Sequence, residues 1–80
     1  MRRYYFDLRD EKGLFVDDEG VECRDMQAVR VEAARSLADM ARDAVHAAAS
    51  APPRMMSIEV RDEAGPVMQA KLTFEISLPQ

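Results

Sequence analysis

The sequence has few of the residues that most often cross-link a chain or carry chemistry. It contains no tryptophan, one histidine and one cysteine. A single cysteine excludes an internal disulfide and fits a reducing, cytoplasmic setting. The three glycines, Gly13, Gly20 and Gly65, are isolated turn residues and form no phosphate-cradling loop.

The chain also lacks long apolar runs and an excess of basic charge. No apolar stretch approaches the roughly 20 residues that span a bilayer. The two N-terminal arginines precede no apolar segment, so we expect no signal peptide. The formal net charge is −4 with both signs interleaved, which argues against a nucleic-acid surface because phosphate neutralisation needs a clustered basic patch.

Eighty residues predict one domain, residues 1–80. A chain of this size buries roughly 60–65% of the surface that its unfolded form exposes. Its stability margin is therefore thin, and a dimer would increase it.

The stretch from Asp25 to Ser50 is predicted to be one amphipathic helix, around which the rest of the chain is organised. Asp25 can cap its first turn, because a carboxylate accepts a hydrogen bond from a free backbone N–H. Pro52 and Pro53 prevent continuation. The apolar arc, predicted to face the core, contains Met26, Val29, Ala33, Leu37, Met40, Ala41, Ala44, Val45 and Ala48. The polar arc contains Glu32, Arg35, Ser36, Asp39, Arg42, Asp43 and His46.

Alternation of apolar and polar residues predicts four strands around this helix. They are Arg3–Asp10, Leu14–Cys23, Met55–Asp62 and Val67–Leu78. The second strand is interrupted by an acidic bend at residues 17–20, and the fourth has the most regular alternation. That regularity indicates one dry face and one wet face.

The predicted fold class is α+β, a two-layer β-β-α-β-β arrangement with a four-stranded, mainly antiparallel sheet and one long helix packed on one face. The length of strand four favours the strand order 2-1-4-3. The outer face of the sheet is predicted to be a mixed-charge solvent surface, formed by Arg3, Tyr5, Asp7, Glu59, Arg61, Gln69, Lys71, Thr73 and Glu75.

The ordered motifs RYYFDLRD (residues 3–10), DDEGVE (17–22), D-M-x-A (25–28) and IEVRDEAG (58–65) run along most of the chain. With these motifs the chain resembles a family of short alphaproteobacterial proteins catalogued only as a domain of unknown function. The resemblance covers Arg3 to Leu78, and Cys23 departs from the aliphatic residue expected there. It implies a fold and a bacterial cytoplasm, but no activity, so no site residue carries over.

Two polar features of the sequence are candidate sites. His46 is predicted on the polar helix face without a nucleophile placed beside it, and we interpret it as a solvated surface histidine. Asp17, Asp18 and Glu19, with Glu22, form the densest acidic group. Three consecutive acids lack the spaced ligands of a calcium loop, so we interpret them as a solvated bend that protects a sheet edge. Whether Asp17–Glu19 binds a divalent ion is left open.

Two sulfur-containing features are further candidates. Cys23 precedes the positive end of the helix, which could lower its thiol pKa; we interpret it instead as a small apolar filler between helix and sheet. The methionines could form an adaptable binding groove, but four of them fall on predicted core faces: Met26, Met40, Met56 and Met68.

The sequence identifies neither a reaction nor a named partner. We expect a small non-catalytic interaction or structural module, forming a homodimer through a strand edge or through the outer sheet face near Tyr5. An antitoxin-like regulatory domain that binds a protein partner is the alternative, by analogy of fold class. We do not expect an enzyme, since the spacings bring no catalytic set together. We assign no catalytic, cofactor-binding or metal-binding residue and no cofactor.

Overall fold

The elements predicted from alternation and helical period are present, with one more strand than expected. The computed structural model describes residues 1–47 and 54–79. In chain order the elements are β1 Arg2–Asp10, β2 Gly13–Phe15, β3 Val21–Cys23, α1 Met26–Ala47, β4 Met55–Asp62 and β5 Gly65–Thr73. All strand pairs are antiparallel. The predicted α+β class, with a helix packed against an antiparallel sheet, is confirmed.

The helix begins where its cap predicts. The Asp25 carboxylate accepts a hydrogen bond from the backbone N–H of Ala28 at 2.9 Å, which satisfies a donor of the first turn. Val29, Ala33 and Leu37 are buried, as predicted. The prediction that Met26 and Val45 face the core is wrong, because both are exposed. They lie near the two ends of the 22-residue helix, whereas its buried residues lie between them.

The C-terminal end of the predicted helix lies outside the described residues. The helix is described up to Ala47. The predictions for Ala48, for the helix end at Ser50 and for the stop at Pro52 and Pro53 therefore have no structural counterpart here.

The predicted strand order 2-1-4-3 is wrong. The observed order is β2-β1-β4-β5, with β3 also paired to β1. β4 (Met55–Asp62) lies beside β1, with Phe6 opposite Val60. β5, which corresponds to the strand predicted to be interior, is at the edge of the sheet. Met56, Ser57 and Ile58 are all buried in β4, whereas no residue of β5 is buried. A strand covered on both faces belongs inside a sheet, and a regular alternation is equally suited to an edge.

The last strand is shorter at its C-terminal end than predicted. It ends at Thr73, which lies opposite Met55, the first residue of β4. The backbone N–H of Phe74 still donates to the carbonyl oxygen of Arg54 at 2.8 Å. Beyond that bond the alternating residues continue outside any strand, with Ile76 74% and Leu78 83% exposed.

The predicted second strand is two strands, which accounts for the fifth strand found among the described residues. β2 pairs with Leu8–Asp10, and β3 pairs with Arg2–Tyr4. Residues 16–20, here named the acidic loop, leave the ladder between them. Among the described residues, the middle of β1 consequently has no strand partner on this edge.

The core lies between the sheet and α1. Its buried apolar residues are Tyr4, Phe6, Cys23, Val29, Ala33, Leu37, Met56, Ile58 and Val60. Each large side chain that is fully buried contributes about 1.5–3 kcal/mol through removal of apolar surface from water. Met40 and Met68 pack partly buried against this core, so core packing is confirmed for Met40, Met56 and Met68 but is wrong for Met26.

Candidate functional site

A polar cluster on the outer sheet face replaces the predicted solvent surface. Asp7 is only 7% exposed, so the prediction of an open mixed-charge face is wrong at this position. Ser57, on β4, is only 1% exposed. The Arg61 side chain donates from Nε to Asp7 Oδ2 at 2.9 Å and from Nη2 to the carbonyl oxygen of Asp17 at 2.9 Å. Its guanidinium lies 4.5 Å from the centre of the Tyr5 ring, within the range of a cation–π contact.

Asp17 fills the gap between β2 and β3. Its Oδ2 accepts a hydrogen bond from the Phe6 N–H at 3.1 Å, and its Oδ1 accepts from Glu19 N–H at 3.0 Å and Gly20 N–H at 3.1 Å. The Asp17 N–H itself donates to Asp7 Oδ1 at 2.9 Å. The carboxylate thus replaces the strand backbone that is missing opposite Phe6. The predicted solvated bend is correct for the exposed Asp18 and Glu19 and wrong for Asp17.

The electrostatic state of Asp17 reflects these bonds. Burial alone would raise the pKa of Asp17, but the hydrogen bonds from Phe6, Gly20 and Glu19 and the charge of Arg61 outweigh it and lower the pKa. The carboxylate is therefore ionised and engaged by backbone donors. Within residues 1–47 and 54–79, no group of three or more His, Cys, Asp or Glu side chains is arranged to hold a metal ion.

Gly20 fixes the acidic loop against the outer face. It has a φ of +76°, and a Cβ at this position would lie 2.9 Å from Arg3 Cγ and 3.0 Å from Tyr5 Cε2. Arg3 also donates from Nη1 to the carbonyl oxygen of Glu19 at 2.8 Å. The outer face near Tyr5, one of the two predicted dimer surfaces, is thus covered by the chain's own loop.

Cys23 and His46, the single cysteine and the single histidine of the sequence, differ in exposure. Cys23 is buried in the core, and its burial, together with the charges of Glu32 and Asp25, raises the pKa of the thiol. The alternative of a reactive thiol with a lowered pKa is wrong. His46 is exposed, and its Nδ1 lies 2.9 Å from the carbonyl oxygen of Arg42, one helical turn earlier.

A concave surface lies on the other side of the sheet. A groove of about 570 Å³ runs between α1 and the strands β1, β2 and β3. Its lining is formed by Phe6, Leu8, Phe15, Val16, Asp17, Val21, Glu32, Ser36, Asp39, Met40 and Asp43. Phe15 is 54% exposed and Val16 62% exposed, so large apolar side chains face solvent along its strand wall.

The helix wall of the groove is acidic. Glu32, Ser36, Asp39 and Asp43 line it at spacings of four, three and four residues, which place them on one face of a helix. We name Glu32, Asp39 and Asp43 the acidic stripe. Among the described lining residues there is no lysine, arginine or histidine.

Sequence reasoning missed the polar cluster around Arg61 and the groove, because each joins distant parts of the chain. Asp7 and Arg61 are 54 residues apart, and only the β1–β4 register brings them together. For the groove a local signal did exist: Leu14, Phe15 and Val16 are consecutive apolar residues in a strand predicted to be an edge, and an apolar edge of that kind needs a cover.

The chain belongs to the family described as a domain of unknown function, DUF6894, whose model matches residues 3–73. No curated protein and no solved structure matches it. Among the described residues, no helix combines the length and the apolar character that crossing a bilayer requires.

Proposed function

We propose that this DUF6894 domain is a small non-catalytic protein-interaction module and that the groove between α1 and β1–β3 is its binding surface. The observation that carries the proposal is the exposure of Phe15 and Val16 along a concave apolar wall. Concave surfaces with apolar walls and a few polar groups are the usual form of binding sites.

The energetics of Phe15 and Val16 support the groove as a binding surface. Phe15 and Val16 contribute little to the core as they stand, since more than half of each residue is exposed. Covering the exposed part of both side chains would contribute on the order of 2 kcal/mol to an association. The contribution is realised only when a partner occupies the groove.

The proposal of a non-catalytic role is based on the functional groups that line the groove. The described lining residues supply carboxylates and one hydroxyl, but no thiol, imidazole or amine. The Asp17 carboxylate is engaged by three backbone N–H groups. His46 and Cys23, the residues with other chemistry, are not among the groove-lining residues.

Affinity purification at native expression level, followed by mass spectrometry, tests the binding surface. The test variant is Phe15→Ser, and the matched control is Leu14→Ser. Leu14 is also exposed on β2, but successive residues of a strand point to opposite faces, and Leu14 does not line the groove.

We expect a partner that is retained by the wild-type domain and by Leu14→Ser and is lost with Phe15→Ser. Circular dichroism should show that both variants fold. A set of captured proteins that does not change with Phe15→Ser would refute the groove as the binding surface. A toxin recovered as the partner would support the antitoxin-like alternative, which rests on fold class alone.

A homodimer is the second candidate, and the open edge of β5 favours it. β5 is at the end of the sheet, and within residues 1–47 and 54–79 it pairs only with β4. The alternating segment that follows it places Ile76 and Leu78 in solvent. Edge pairing between two copies would satisfy the open backbone groups and cover these side chains.

Sedimentation at high micromolar concentration tests the homodimer. We expect a mass of two chains for the wild type and of one chain for the double variant Ile76→Lys/Leu78→Lys. The charges would oppose burial of the segment without touching the described core. A single-chain mass for the wild type would remove this candidate.

The proposed setting is the cytoplasm of an alphaproteobacterium, as the resemblance in the sequence motifs implies. The buried single thiol of Cys23 is consistent with a reducing compartment. Fractionation of cells that express the native gene, with detection by antibody, would test the compartment.

A further inference from the structure

We infer that the segment bound by the groove is a cationic amphipathic helix of a partner protein, with apolar side chains on the strand wall and Lys or Arg against the acidic stripe. This inference rests on the proposed function and adds the chemistry of the partner. It follows from three properties of the groove: charge, length and the form of its edge strands.

The charge of the groove is of one sign. Glu32, Asp39 and Asp43 face it from α1, and the described lining residues include no cation. Ion pairs within the helix only partly offset this charge. Arg35 lies 3.5 Å from Glu32 and Arg42 lies 3.0 Å from Asp39.

These internal pairs leave the stripe available to a partner. Both arginine side chains are about two-thirds exposed, and exposed pairs of this spacing are weak. Asp43 has no ion pair among the described residues. An anionic or neutral segment would gain no ion pair with the acidic stripe, whereas a cationic segment would.

The length of the stripe fits about three helical turns. Glu32 and Asp43 are eleven residues apart, which corresponds to about 16 Å along α1. A helix lying alongside α1 repeats its side chains with the same period, so cations at matching spacings can face all three carboxylates. The apolar face of the same helix would lie on Phe15, Val16 and Met40.

The strand wall favours side-chain packing over strand addition. β2 and β3 have three residues each and are separated by the acidic loop. Strand addition gains its affinity from a continuous row of backbone hydrogen bonds, and this edge is interrupted. A helix in the groove needs only the side-chain surfaces that are already there.

The probes are three synthetic peptides of about 14 residues, a length that presents about four turns. The first carries Leu on one helical face and Lys on the other. The second replaces every Lys by Glu, and the third has the composition of the first with the order shuffled so that no apolar face forms. Fluorescence anisotropy measures binding at about 50 mM and about 300 mM salt.

The variants isolate the acidic stripe. The test variant is Glu32→Gln/Asp39→Asn/Asp43→Asn. The control variant is Asp18→Asn/Glu63→Gln/Glu75→Gln, which removes the same charge from exposed residues that neither line the groove nor form ion pairs in the described structure. Circular dichroism confirms folding of both.

We expect the Leu/Lys peptide to bind, and binding to weaken about tenfold or more in the test variant and less than about threefold in the control at low salt. The difference should shrink at high salt. Amide shifts in nuclear magnetic resonance spectra should move at Phe15, Val21 and Ser36. The Leu/Glu and shuffled peptides should bind at least about tenfold more weakly than the Leu/Lys peptide.

Three kinds of result would overturn the inference in different ways. Equal weakening in the test and control variants, or equal binding of the shuffled peptide, would show attraction by net charge without a groove-fitting helix. Loss of both peptide and cellular partner with Phe15→Ser, but no effect of the test variant, would keep the groove as the binding surface and reject a cationic partner. Peptide binding that Phe15→Ser leaves unchanged would reject the groove itself.

Discussion

Replacing Asp17 by asparagine tests whether one side chain holds the sheet edge together. The carboxylate accepts hydrogen bonds from Phe6 N–H on one oxygen and from Glu19 and Gly20 N–H on the other. Asparagine keeps a single acceptor oxygen, so either the bond to β1 or the two bonds within the acidic loop must be lost. The amide NH₂ then faces a backbone donor, which leaves a partly buried N–H unpaired.

The expected cost follows from the bonds that are lost. Leaving a donor unsatisfied and removing hydrogen bonds to a charged group costs about 2 kcal/mol for Asp17→Asn and about 3 kcal/mol for Asp17→Ala. The total stability of such a domain is on the order of 5 kcal/mol. With a urea dependence of about 1 kcal/mol per M, the unfolding midpoint of Asp17→Asn should fall by about 2 M.

The control is Asp18→Asn, an exposed neighbour that accepts no hydrogen bond in the described structure. Its midpoint in urea, followed by circular dichroism, should stay within about 0.5 M of the wild type. Equal midpoints for Asp17→Asn and Asp18→Asn would refute the role assigned to the carboxylate.

The same residue predicts a dependence on pH. The folded-state pKa of Asp17 is lowered, so its contribution is fully present above the unfolded pKa and is lost as the pH falls through the folded pKa. The wild type should therefore lose stability below about pH 4, and the difference between wild type and Asp17→Asn should shrink in that range. A difference that stays constant from pH 6 down to acid unfolding would contradict the assignment.

Three further outcomes are expected. Arg61→Met should destabilise the domain by about 3 kcal/mol in thermal unfolding, because it leaves the buried Asp7 carboxylate without its cationic partner, whereas Arg9→Met removes only an exposed pair and should cost less than about 1 kcal/mol. Asp25→Ala should cost about 1 kcal/mol through loss of the helix cap, and Asp43→Ala, inside the helix, should be close to neutral. The Cys23 thiol, buried and with a raised pKa, should react with a thiol reagent at pH 8 at least about a hundredfold more slowly in buffer than in denaturing urea; equal rates would contradict its burial.

The local elements were predictable from the sequence because they depend on neighbouring residues. The helical period places Val29, Ala33 and Leu37 on one face, and all three are buried. The Asp25 cap is a bond across three residues. Asp10 and Asp62 act similarly in their turns, where they accept backbone N–H bonds from residues two or three ahead.

The strand order was not predictable from alternation, because alternation reports how many faces of a strand are dry, and not how many edges are paired. β5 alternates regularly and is an edge. Ser57 alternates as a solvent-facing residue would, yet it is buried. The outer cluster around Arg61 and the groove both depend on this order, so neither could be assembled before it was known.

The position of β4 has a consequence for how the chain is made. β1 is synthesised first and can pair with β2 and β3 at once, but its other edge is covered by β4, with Tyr5 opposite Arg61. Such distant pairings form slowly and leave a strand edge open in the meantime. A nascent chain that has reached only residue 54 therefore has β1 exposed along that edge and Asp7 without its arginine. The sheet can be completed only after β4 and β5, in the last third of these 80 residues, have left the ribosome.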